Sequence, residues 1–180
     1  MKTRKNIYEP LTNRSAQRKP DLVVLSPGPG NPKEFKMDET IDLLMEEKIP
    51  AFGVCLWLQG MVERFGGELG VLDIPFHGKP STIVKVNGGG NGEENVLKGV
   101  PDKFTVARYH SLYGIREKLP DCLECIAETE DRVVMAIKHK TLPFSAVQYH
   151  PESILTESGI GLRILQNCVG AGSCDTVTLM

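Results

Sequence analysis

No apolar run in this sequence approaches the roughly 18 residues that a bilayer-crossing helix requires, and no segment repeats another. A net charge of −2 supplies neither the basic excess that holds nucleic acid nor the cationic face that an anionic membrane attracts. No secretory signal precedes the five cysteines, Cys55, Cys122, Cys125, Cys168 and Cys174. Their odd number and the missing signal point to free thiols in a reducing, cytoplasmic setting. Cys122 and Cys125 form a C-x-x-C inside a strand-like run, where residues three apart face opposite sides. No second pair or histidine cluster completes a zinc set, so no metal is expected. The glycine-rich stretch Asn87–Gly92 lacks a following Gly-Lys-Ser/Thr and does not read as a phosphate loop. No cofactor motif is present.

What is present is an ordinary globular composition, 41% apolar and 24% charged over 180 residues, enough for one domain with a real core. Residues 1–20 stand apart. Lys2, Arg4, Lys5, Arg14, Arg18 and Lys19 face one acid, Glu9, and the apolar residues show no period. They read as a disordered leader, with an organelle-targeting remnant as the alternative. Beyond them, Leu22–Leu25 is a short buried strand ending in the rigid turn Ser26-Pro27-Gly28-Pro29-Gly30. A helix from Asp38 to Lys48 follows, with Ile41, Leu44 and Met45 on its apolar face. A second buried strand, Ile49–Val54, runs into Cys55 and a helix stopped near Gly66-Gly67. Buried strands joined by a helix imply a parallel sheet covered on its faces. From Ile74 onward short strand candidates alternate with Gly, Pro and Asn clusters, an antiparallel pattern: Ser81–Val86, Phe104–Tyr109, Cys122–Ala127, Val133–Ile137 and Phe144–Tyr149. A last helix spans Ser158 to Cys168, and residues 170–180 form a tail.

Three segments carry chemistry. In Gly53-Val54-Cys55-Leu56-Trp57-Leu58-Gln59 a cysteine ends a buried strand and opens a helix. Helix N-termini favour thiolates, and their free N–H groups can receive an oxyanion. In Gln148-Tyr149-His150-Pro151-Glu152-Ser153 a histidine is available to shuttle the proton of a thiol nucleophile, with Glu152 near enough to fix its tautomer. The Pro-Gly-Pro-Gly turn offers a backbone that a ligand can approach closely. Each segment alone has a bland reading: a buried structural cysteine, a surface His–Glu pair, an ordinary tight turn.

Taken together, these segments make the chain resemble the class I glutamine amidotransferases, and most closely the glutaminase part of anthranilate synthase. The resemblance rests on Leu25-Ser26-Pro27-Gly28-Pro29-Gly30-Asn31-Pro32, Gly53-Val54-Cys55-Leu56-x-Leu58-Gln59, His77-Gly78-Lys79, Tyr109-His110-Ser111-Leu112 and Ala146-Val147-Gln148-Tyr149-His150-Pro151-Glu152-Ser153, in family order over residues 21–169. It implies a flavodoxin-like three-layer α/β fold, with a central, mostly parallel sheet, helices on both faces and a small antiparallel sheet. It also implies roles. Cys55 is the nucleophile, His150 the acid and base, and Glu152 its orienting group. Gly28 and Leu56 form the oxyanion hole. Gly28, Pro29, Gly30, Gln59, Ser111 and Leu112 hold L-glutamine. His77, Gly78 and Lys79 line the contact with a chorismate-using synthase on another chain. The implied reaction is hydrolysis of glutamine to glutamate and ammonia for anthranilate synthesis, in the tryptophan pathway. The alternatives are the glutaminase of aminodeoxychorismate synthase, a partner-binding relic without turnover, and a stand-alone hydrolase of γ-glutamyl substrates.

Two features depart from the family pattern. Trp57 stands where the family has glycine, so its side chain must either displace a neighbour or swing outward. The family also begins with a strand, a helix and a strand, whereas only 25 residues precede Ser26 here. An N-terminally truncated domain with an exposed sheet edge is therefore expected.

Overall fold

The computed structural model describes residues 19–86 and 95–170 and the backbone of 177–179. The leader up to residue 18, the Asn87–Gly92 loop and Cys174 lie outside the described residues. The chain forms β1 (Leu22–Leu25), a 3-10 turn at Pro32–Phe35, α1 (Met37–Glu46), β2 (Ala51–Val54), α2 (Leu56–Arg64) and β3 (Leu69–Val71). These are followed by β4 (Lys79–Lys85), β5 (Lys103–Arg108), β6 (Leu112–Gly114), β7 (Leu123–Thr129), β8 (Val134–His139), β9 (Phe144–Val147), α3 (Ile160–Val169) and β10 (Val177–Leu179).

Eight strands form one sheet in the order β10-β1-β2-β9-β8-β7-β4-β5, and β3 and β6 form a separate antiparallel pair. Pairing is parallel from β10 through β9 and antiparallel from β9 through β5. The switch follows from the connections. β1 and β2 are joined through α1, whereas β7, β8 and β9 are joined by short turns that only antiparallel strands can use.

The alternation of strand side chains divides the core. Val23, Leu25 and Ala51 point to the face covered by α1 and α2, against Ile41, Leu44, Leu58 and Met61. Phe52, Val54 and Val147 point to the other face, against Ile160 and Ile164 of α3. Helices therefore cover both faces of the parallel half. On α3, Leu162 and Leu165 point outward. After α2 the chain turns at Gly66, whose φ is 92°. The N–H of Gly66 is donated to Glu63 O and that of Gly67 to Val62 O, closing the helix end.

Two expectations are corrected here. β1 is not a sheet edge, because β10 pairs with it in parallel register, Leu22 opposite Val177 and Val24 opposite Leu179. Cys122 and Cys125 do not face opposite sides. Cys122 sits in the turn before β7, and both side chains abut the same core cluster. Burial pushes the Cys125 thiol up to about 12.

Candidate active site

The sheet order brings the three chemical segments together. β1, β2 and β9 are consecutive and parallel, so the chain after each emerges at one end of the sheet. Ser26–Gly30 follows β1, Cys55 follows β2 and Gln148–Glu152 follows β9. Crevices beyond the carboxyl ends of parallel strands are where open α/β sheets hold ligands.

Cys55 adopts φ 57° and ψ −96°, outside the regions that ordinary side-chain-bearing residues occupy. Such a conformation costs about 1–3 kcal/mol and persists only where its surroundings enforce it. Here the Cys55 N–H is donated to Val147 O at 2.7 Å, and its carbonyl accepts from Leu58 N–H at 3.1 Å. The residue therefore turns sharply between β2 and α2. Gly28 lies against this elbow: a Cβ added there would sit 3.2 Å from Leu56 Cδ2. The turn after β1 and the first residue of α2 are thus in contact.

His150 is bonded through Nδ1 to Glu152 Oε1 at 2.7 Å. Its other nitrogen, Nε2, is buried and makes no hydrogen bond of normal geometry, although the Cys55 thiol lies near enough to bias its protonation. Burial pulls the imidazole pKa down. The closeness and charge of the Cys55 sulfur, together with the bond to and charge of Glu152, outweigh it and carry the value up to about 9. Burial likewise opposes the Glu152 carboxylate, but the bond to His150 prevails and holds it below its ordinary value.

The segment carrying His150 is fixed from the far side of the curled sheet. His150 N–H is donated to Ala107 O at 3.0 Å, and Glu157 N–H to Thr105 O at 2.9 Å. Thr156 Oγ1 accepts from Ala107 N–H at 3.1 Å and donates to His150 O at 2.7 Å. Residues 150–157 thus bridge β9 to β5. The Tyr109 ring, with its centroid 4.9 Å from that of His150, closes the outer side.

Beneath the elbow runs a buried polar chain. Arg108 Nε donates to His110 Nε2 at 3.0 Å. His110 Nδ1 therefore carries the proton, and it donates to Leu112 O at 2.8 Å. Burial, and next the Arg108 charge, drive the His110 pKa down to about 4, so this ring is neutral. Gln59 Nε2 donates to Leu112 O at 3.1 Å and to Gln148 Oε1 at 3.3 Å. Gln148 Nε2 in turn donates to Cys55 Sγ at 3.5 Å.

The remaining candidates are distributed around this centre. Pro29 and Gly30 are exposed on the turn, and Ser111 and Leu112 are half-buried beside β3. Gln59 is buried, with its amide donors directed to protein groups. His77 and Lys79 are exposed, and between them the Gly78 N–H is donated to Arg108 O at 2.9 Å. Trp57 does not swing outward. It is buried against the core, with Gly53 beneath it, where an added Cβ would lie 2.3 Å from Trp57 Cβ. Among the described residues no group of three or more His, Cys, Asp or Glu could hold a metal ion, and no helix is long and apolar enough to cross a membrane.

A strained cysteine, an ion-paired histidine just beyond the neighbouring strand and a Pro-Gly turn against the elbow agree with one comparison above all. The family model described as glutamine amidotransferase class-I matches residues 2–169.

The chain is a class I glutamine amidotransferase.

Relatives of this amidotransferase include anthranilate synthase of Azospirillum brasilense, 54% identical over 164 residues, which cover 91% of this chain and 22% of that protein. The multifunctional tryptophan biosynthesis protein of Pichia angusta is 44% identical over 144 residues, covering 79% and 38% of the two chains. Anthranilate synthase component 2 of Methanocaldococcus jannaschii is 42% identical over 157 residues, covering 83% and 75%. The chain thus spans well under half the length of the first two. Among solved structures, a putative GMP synthase subunit from Thermoplasma acidophilum superposes with a TM-score of 0.70 at 28% identity, covering 83% of this chain and 71% of that one.

Sequence reasoning gave no role to Arg108, His110, Gln148, Thr156 or Gly161. His110 and Gln148 lay inside quoted motifs, but only the fold shows that they share a polar chain. Thr156 and Gly161 carried no local signal.

Proposed function

We propose that this amidotransferase hydrolyses L-glutamine and delivers the ammonia to a chorismate-using synthase for anthranilate synthesis. Cys55 Sγ attacks the side-chain carboxamide carbon of glutamine. The tetrahedral oxyanion is received by the N–H groups of Gly28 and Leu56; the close approach of Gly28 to the Leu56 side chain supports this reading. His150, charged in the resting site, holds the proton that the thiol has given up and passes it to the departing nitrogen. The C–N bond breaks, ammonia leaves and a γ-glutamyl thioester remains on Cys55. Water then attacks the thioester with His150 as base, giving glutamate and restoring the thiol. Glu152 holds the imidazole in position and stabilises its charged form. Gly28–Gly30, Gln59, Ser111 and Leu112 surround the substrate, and His77–Lys79 forms the exposed synthase contact.

The observation that carries the chemistry is the 2.7 Å His150–Glu152 pair beside a cysteine held at positive φ. The names of the relatives support anthranilate rather than aminodeoxychorismate as the product. The test is labelling by a glutamine-analogue electrophile with mass mapping, with and without the synthase. The expected result is one adduct, on Cys55, absent in Cys55→Ser. A folded parent that acquires no Cys55 adduct in either condition is the partner-binding module instead.

A further inference from the structure

We propose that Gln148 is a positioning residue, whose side-chain amide holds the Cys55 sulfur in line with His150. The inference rests on the glutaminase reading and deepens it. Gln148 is wholly buried, directly after β9, and its backbone N–H is donated to Met135 O at 2.9 Å. The backbone leading to His150 is therefore an extension of the sheet, not a free loop. The Gln148 side chain points back under the elbow and donates from Nε2 to Cys55 Sγ at 3.5 Å.

The orientation of that amide is not free. Gln148 Oε1 accepts from Gln59 Nε2, and the same nitrogen of Gln59 donates to Leu112 O. Leu112 O also accepts from His110 Nδ1, and His110 Nε2 accepts from Arg108 Nε. Each link has one donor sense. Arg108 can only donate, so His110 must accept at Nε2 and donate at Nδ1. Leu112 O can only accept, so it takes a proton from Gln59. Gln59 still has a second N–H, which requires an acceptor and selects the oxygen of Gln148. The NH2 of Gln148 is thereby turned toward sulfur. A flipped amide would set two NH2 groups against each other in a buried site, where an unmade hydrogen bond is costly.

Gln148 does not meet the substrate carbonyl or the leaving nitrogen. It fixes where the sulfur sits, and a displacement of about 1 Å in such a site costs up to a hundredfold in rate. Positioning acts on the chemical step, so kcat falls while KM stays.

The experiment compares Gln148→Met and Gln148→Glu with the parent in the complex with its synthase. Methionine keeps the volume and removes the donor; glutamate keeps the shape and replaces the donor by an acceptor. The expected result for both is a kcat lower by about ten- to a hundredfold, with KM within twofold and the rate of iodoacetamide alkylation of Cys55 retained. A kcat within twofold of the parent in both variants, or a KM rise that accounts for the whole loss, overturns the proposal. A second readout needs no turnover. In ¹⁵N-labelled protein the Gln148 side-chain NH2 resonances, assigned by their loss in Gln148→Met, are expected to shift in Cys55→Ala. Where Gln148→Met does not fold, the same resonances are assigned by through-bond correlation in the parent, and unmoved resonances overturn the proposal. Failure of the glutaminase reading shows separately, as an absent Cys55 adduct with the glutamine-analogue electrophile.

Discussion

At the scale of single residues, the site is decided by which charge each side chain is allowed to keep. His150 is carried up to about 9 against the effect of its own burial, and Cys55 supplies part of the rise. Replacing Cys55 by Ala removes that contribution, so the His150 pKa is expected to fall, measured by NMR titration of the ring; a value still near 9 would assign the whole effect to Glu152. Trp57 makes the opposite kind of contribution, through volume. The indole is 8% exposed and rests on Gly53. Trp57→Gly restores the family's residue, but it empties a buried site and adds a flexible residue to α2. A loss of about 3–5 kcal/mol is expected in urea unfolding. Gly53→Ala places a methyl where Trp57 Cβ already lies and is expected to cost about 1–3 kcal/mol or more. If Trp57→Gly is as stable as the parent, the indole is not part of the core.

At the scale of elements, the residues proposed to carry chemistry stand out in the sequence because each lies at an abrupt change of pattern. Cys55 ends a wholly apolar run, and the Pro-Gly turn ends another. What the sequence did not show is the support around them. Thr156 and Gly161 look like loop and helix residues of no distinction, because their partners lie about 50 positions away on β5 or across a turn. The C-x-x-C was misread because β7 begins one residue after Cys122 and is bulged past Cys125, so strand alternation does not apply across it. The support is testable through Gly161, at the start of α3. A Cβ there would lie 2.1 Å from the Pro151 carbonyl oxygen, between His150 and Glu152. Gly161→Ala must push the His-Pro-Glu turn away from the helix. The expected outcome is a glutaminase kcat at least tenfold lower, with little change in KM. Undiminished kcat would show that the turn can yield without disturbing His150.

At the scale of the whole molecule, two histidines set opposite limits on stability. His110 is neutral in the fold, with a pKa near 4 against an ordinary 6.5, so unfolding takes up a proton between those values. Stability is therefore lost as pH falls from 6.5 toward 4. His150, near 9, is charged in the fold; its contribution is complete below 6.5 and is lost as pH rises through about 9. The urea midpoint is expected to peak close to pH 6.5. Cys55→Ala should flatten the alkaline limb and His110→Gln the acid limb, and an unchanged profile in both variants would refute this assignment. The elbow adds a consequence of another kind. Because the Cys55 amide is a rung between β2 and β9, in the middle of the sheet, it cannot reach solvent until that sheet separates. Its deuterium exchange should be among the slowest in the chain and should track global opening. Denaturant would then inactivate the enzyme and melt it at the same midpoint, leaving no folded, inactive species on the way.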